Sequence, residues 1–160
     1  MTVAKYLWAA PASVLGVVLG VLGIAAGGRL SIHTGVLEAE GRLLAWALTY
    51  LTVLEGGAAA ITFGHVVLAR DAASLEWTRS HERVHVRQYE RWGPLFIPLY
   101  LAASAWAWAC GRDPYRANVF EREAMALEAG HLTSPPASGA RRSLRTRDRA
   151  DRPARRTALR

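Results

Sequence analysis

An α+β fold with an N-terminal transmembrane helix is predicted by three observations: an uncharged apolar run near the start, two strand-like segments after it, and charged helices after those. The run, "LWAAPASVLGVVLGVLGIAAGG", covers Leu7 to Gly28, 22 residues without a charge. At about 1.5 Å per residue it is long enough for a hydrocarbon core of about 30 Å. It exceeds the apolar stretch of about 7 to 15 residues in a cleaved signal peptide, so residues 1–28 are read as a retained membrane anchor. Gly16 and Gly20 form a GxxxG pair within it and offer a seam for a homodimer. Lys5 precedes the run, while Arg29 and Arg42 follow it. By the positive-inside rule this makes the chain single-pass, with a cytoplasmic domain.

The domain itself is expected over residues 29–130. "RLSIHTGVLEAEG" has branched residues and Gly35 at a turn, and "AAAITFGHVVLA" is rich in Ile, Thr, Phe and Val. Both read as strands. Periodicity leaves "LLAWALTYLTVL" open between helix and strand. "RSHERVHVRQYERW" reads as a helix, with Thr78 or Ser80 as N-cap and Gly93-Pro94 as its stop. A helix is expected for "FIPLYLAASAWAWA", as core or interfacial structure rather than a second crossing, and a loop for "CGRDPYRAN". "VFEREAMALEAG" reads as the last helix, capped by Asn118 and closed by Gly130.

The net charge of +7 belongs to the end of the chain. From Arg141 to Arg160 there are nine arginines against Asp148 and Asp151, whereas residues 1–140 hold eleven Lys or Arg and eleven Asp or Glu. Residues 131–160 have too few large apolar groups to offset their ordering entropy and are read as a disordered arginine-rich tail. Such a tail can bind acidic lipid or RNA, or serve as a solvated tail or topology signal; membrane lipid is the expected partner and nucleic acid is not. Cys110 is the only cysteine, which excludes an internal disulfide and any cysteine-based zinc knuckle.

A metal site must then use histidine and carboxylate, and "SHERVHVRQYERW" contains HExxH at His81, Glu82 and His85. On a helix the two histidines fall about 40° apart and face one ion, with Glu82 about 100° from His81. That arrangement suits zinc hydrolysis: two neutral imidazoles bind, and the adjacent carboxylate takes a proton from water. The same wheel places Trp77, Val84, Gln88 and Trp92 beside His81 as an inward stripe, and Arg79, Arg83, Arg87 and Glu90 opposite as a wet face. Arginines 79, 83, 87 and 91 would each cost about 2.5 to 3.5 kcal/mol at mid-membrane, so the site is expected outside the hydrocarbon.

"HERVHVRQ" followed by a carboxylate-bearing helix, "NVFEREA", resembles the gluzincin branch of zinc metallopeptidases and is similar to small bacterial HExxHVxQ proteins of largely unassigned function. The resemblance covers residues 80–124. It implies a minimal zincin-like core, a short sheet plus the HExxH helix and the Glu-bearing helix, that binds Zn²⁺ through His81, His85 and Glu121. Glu123 is the alternative third ligand. It implies peptide or protein as substrate, Glu82 as the residue that activates water, and an edge strand in "AAAITFGHVVLA" that holds an extended peptide. His65 is read as a strand residue rather than a ligand, and Tyr115 as a group able to stabilise an oxyanion. The family's E-x-x-A-D pattern is matched at Glu121 and Ala124, but Met125 stands where an acid is expected. That departure keeps open a second reading, a non-catalytic zinc-binding membrane scaffold.

Overall fold

The computed structural model describes residues 3–52, 54 and 56–133. Its elements are α1 (Val3–Ala25), β1 (Arg29–His33), β2 (Val36–Glu40), α2 (Arg42–Tyr50), β3 (Ala60–Phe63), β4 (Val66–Ala69), α3 (Ala72–Trp92), a short 3-10 turn (Gly93–Leu95), α4 (Phe96–Ala109) and α5 (Val119–Thr133). The fold is α+β. The last helix continues past Gly130 to Thr133, and most of the expected tail, from residue 134 on, lies outside the described residues.

The sheet is mixed, in the order β1-β2-β4-β3. Strands β1 and β2 form a hairpin at Thr34-Gly35, where both residues take positive φ, 47° and 79°. This is the twist a two-residue hairpin requires. The segment 58–69, expected as one strand, is a second hairpin: Gly64 at φ 61° turns the chain, so β3 becomes the outer strand and β4 pairs parallel to β2. His65 therefore lies in a turn and not in a strand.

Alternation along the strands produces two apolar faces. One presents Ala39, Val66 and Leu68, packed with Leu44 of α2 and Leu19 of α1. The other presents Val36, Val67 and Ala69, packed with Leu75 and Val86 of α3. The sheet thus lies between α1 and α2 on one side and α3 on the other. A third cluster, Ala9, Ala12, Tyr89, Phe96 and Phe120, joins α1, α3, α4 and α5 beyond the sheet.

α1 is long and apolar enough to cross a membrane, by length and composition. It is also part of the packed domain, so residue 28 does not divide the chain into separately packed units. Its inward face consists of Ala9, Ala12, Gly16, Gly20 and Gly23, all buried. A Cβ on Gly16 would lie 2.7 Å from the Val66 Cβ, and one on Gly20 would lie 3.5 Å from the Ala39 Cβ. The GxxxG face read as a dimer seam is therefore covered by this chain's own sheet. Close approach of helix to sheet is what its small residues provide.

α3 begins two turns earlier than the sequence suggests. Asp71 caps it, accepting a 2.7 Å hydrogen bond from Ser74 N, while Thr78 and Ser80 lie inside the helix. Gly93, at φ 55°, ends it as expected, and Trp8 of α1 packs against that glycine.

Candidate metal centre

The helix α3 presents one polar stripe to α5, inward as the helical wheel places it, and another to the sheet, more buried than the wheel implies. Arg79 grips Glu38 of β2 with two hydrogen bonds, 3.2 and 3.1 Å, and Arg83 adds a third at 3.2 Å. Glu38 is only 2% exposed, so Arg79 and Arg83 pack on the sheet instead of forming the wet face expected, while Arg87 is exposed as expected. A buried carboxylate needs such charged donors. Glu90, also expected on the wet face, accepts from Lys5 Nζ at 2.8 Å and contacts His65 Nε2 at 3.3 Å. Trp77 and Trp92, placed inward by the wheel, are exposed at 74% and 37%. Val84 and Gln88 are buried as expected.

On the side facing α5, His81, His85 and Glu121 converge. His81 Nε2 lies 3.1 Å from His85 Nε2 and 3.1 Å from Glu121 Oε2, and His85 Nε2 lies 3.4 Å from Glu121 Oε1. Three ligands at about 2.0 to 2.1 Å from a tetrahedral ion are spaced by about 3.3 Å, so the residues fit such an ion. Glu123 is directed elsewhere: it accepts from Gln88 Nε2 at 2.9 Å. Glu121 reaches the histidines because Asn118 fixes the start of α5. Its side-chain oxygen accepts from Phe120 N at 2.9 Å, and its amide donates to Tyr100 O and Ser104 Oγ of α4 at 3.0 and 2.8 Å. Asn118 is thus the expected cap and also the tie between α4 and α5.

The neighbours set the tautomers. Gln88 Nε2 donates to Phe120 O at 3.0 Å and to Glu123, both acceptors, so the amide oxygen is the atom 2.8 Å from His85 Nδ1. His85 Nδ1 therefore carries a hydrogen, and in the neutral ring Nε2 turns a lone pair into the cluster. His81 Nδ1 lies 3.5 Å from Glu128 Oε2, which favours the same tautomer. Glu128, two turns along α5 from Glu121, thus places an acid beside His81.

These contacts perturb the titrations. Burial pushes His85 down, but its bond to Glu121 and the charge of Glu82 outweigh that and set it at about 9. His81 is likewise raised, burial being outweighed by Glu121. Burial pushes Glu121 up, yet the two histidines and Tyr100 hold it well below the carboxylate range. The cluster is an electron-rich pocket that attracts positive charge.

Glu82 is buried and accepts from Thr62 Oγ1 of β3 at 2.6 Å. Tyr100 OH donates to Glu121 Oε1 at 2.7 Å. Tyr115 is half-buried, its phenol raised first by burial and then by Glu121 beside it. The structure thus gathers His81, His85, Glu121, Glu82 and Tyr115 around one centre. Sequence reading did not single out Thr62, Tyr100 or Glu128 and took Gln88 only as part of the inward stripe. Gln88 had a local signal, three residues after a ligand histidine; the others had none.

A scan against protein-family models and searches of curated proteins and of solved structures returned no match to this chain.

Proposed function

We propose that this chain is a membrane-attached zinc metallopeptidase with a gluzincin-like site on a zincin-like core, in which His81, His85 and Glu121 hold Zn²⁺. One observation carries the reading: two histidine Nε2 atoms and a carboxylate converge at 3.1 to 3.4 Å, the ligand-to-ligand spacing of a tetrahedral ion, in a pocket that favours positive charge. When bound, zinc supplies Lewis acidity that brings the pKa of a water towards about 7 and polarises a peptide carbonyl.

The remaining work falls to the protein. Glu82 takes a proton from the attacking water on Oε1, the oxygen that Thr62 does not engage, and passes it to the leaving amine nitrogen. Tyr115 donates to the oxygen that gains charge. Tyr100 and Gln88 hold Glu121 and His85 in place. Substrate is an extended peptide added to β3. Arg70 N bonds Ala59 O, and by antiparallel alternation the N–H and C=O groups of Ala60 and Thr62 face away from β4. A peptide paired there passes beside Glu82. Arg29 and Arg42 favour a cytoplasmic side for the site.

Metal content and casein or peptide cleavage, measured on wild type and Glu82→Gln, test this reading. Zinc in both proteins with cleavage lost only in the variant is expected. Zinc in both with cleavage in neither identifies the non-catalytic scaffold, and no zinc in wild type ends both readings.

A further inference from the structure

The course of α1 along the domain conflicts with its hanging as a lone crossing. Between Trp8, which packs on Gly93, and Gly23, which packs on Leu44, the helix has folded protein along one side. That stretch is about 22 Å long at 1.5 Å per residue, most of the depth of a hydrocarbon core. Were α1 upright in the bilayer, α3 and the sheet would be immersed beside it. The exposed Arg87 and Arg91 of α3 and the outward peptide groups of β3 would then need partners that lipid does not supply.

The other side of α1 is built for lipid. It buries alanine and glycine and exposes Leu7 at 70%, Val14 at 62%, Val21 at 56% and Leu22 at 54%. The apolar surface continues onto neighbouring elements. Ile32 of β1 is 73% exposed, and Trp46 and Tyr50 of α2 are 53% and 71% exposed. α4, joined to the first half of α1 through Phe96, exposes Trp106 at 75% and Trp108 at 73%. Tryptophan and tyrosine of this kind favour the headgroup level.

Charge identifies the occupant. α1, β1, α2, the 3-10 turn and α4 together contain no acidic residue, and since their Lys5 is paired with Glu90, the charges they present are Arg29 and Arg42. α3 alone holds three glutamates and four arginines. An apolar surface with only cationic groups complements an anionic leaflet rather than another copy of itself.

We propose that the domain lies on one anionic leaflet through α1, β1, α2 and α4, with α1 in the membrane plane and both its ends on the same side. This rests on the membrane attachment proposed above and is independent of zinc.

The test uses the full chain carrying Val3→Cys and Ser31→Cys, exposed positions at the start of α1 and beyond its end, in a Cys110→Ser background. The protein is reconstituted into sealed phosphatidylcholine–phosphatidylglycerol vesicles, treated with a membrane-impermeant maleimide and weighed intact. Ends on the same side give molecules with two labels or none, whatever the orientation of the reconstituted protein. One label per molecule would show a crossing and overturn the proposal while leaving membrane attachment standing. Flotation with phosphatidylglycerol vesicles is expected to exceed that with phosphatidylcholine alone at least tenfold. Failure to float on either, with a dimer in detergent-free buffer, would give the face to a second copy and overturn both the proposal and the attachment it rests on. Circular dichroism melting of the cysteine variant, matched to wild type, secures the comparison.

Discussion

α1 and α3, the two longest described helices, lie on opposite sides of the same sheet and use their surfaces in opposite ways. α1 turns its smallest residues inward and leaves valine and leucine outside. α3 turns Glu82, His85 and Gln88 inward and leaves Trp77 outside. α1 departs from the usual rule of large apolar groups in and polar groups out, and α3 buries its polar groups beside Leu75, Val84, Val86 and Tyr89. The difference separates two kinds of helix surface: α1 leaves an apolar outer face, the one proposed above to meet lipid, and α3 buries a centre of charge.

Four outcomes would break or sharpen that contrast. The largest is expected at Glu82→Gln, which should lower peptide cleavage by about 10² to 10⁴ while zinc content and vesicle flotation stay at wild-type level. Loss of flotation would mean that the two sides are not separable. Next, Gln88→Ala removes the acceptor for His85 Nδ1 and the link to Phe120 O. Zinc affinity, read by competition with a chelating dye, should fall by about 10- to 100-fold.

On the other helix, Gly16→Val drives a side chain into Val66 and Phe63. Overpacking of this kind costs about 1 to 3 kcal/mol, seen as a lower urea midpoint, with zinc affinity in the remaining folded protein unchanged. The smallest effect belongs to the contact that joins the two helices, Lys5–Glu90 at 2.8 Å. Burial raises Glu90, but bonds from Lys5 and His65 outweigh it and hold the folded pKa below its usual 4.5. The stabilisation is therefore present above pH 4.5 and lost as pH falls through the folded value. Because Lys5 is half-exposed, the contact is worth under about 1 kcal/mol. The stability difference between wild type and Lys5→Met should narrow from pH 6 to pH 3, and a constant difference would show that Lys5 acts through packing alone.

What the sequence made legible was what depends on neighbours a turn apart. The spacing of His81 and His85 places both imidazoles on one stripe of any α-helix, and the structure keeps them there. Glu121 came from resemblance, since nothing local ties residue 121 to residue 81. The opposite face of α3 was misread because its partner, Glu38, is 41 residues from Arg79 and belongs to β2. A wheel reports polarity but not what a polar group meets. Trp77 failed for a reason of face: Leu75 and Thr78 on either side of it are buried, Leu75 in the sheet core, and Trp77 turns outward between them, while Trp92 is the last residue before the Gly93 stop. The hairpin at Gly64 was hidden inside a run of strand formers, although the glycine itself marked it.

The hydrogen bonds of Gln88 also impose an order on how the molecule is made. One amide reads both His85 on α3 and the Phe120 carbonyl on α5, and the third ligand comes from the same late helix, 40 residues after His81. During synthesis the two histidines emerge early but hold only part of a binding site. On the function proposed above, high-affinity zinc uptake would wait until α5 has docked, and a chain able to attack peptide bonds would exist only after its own folding is finished.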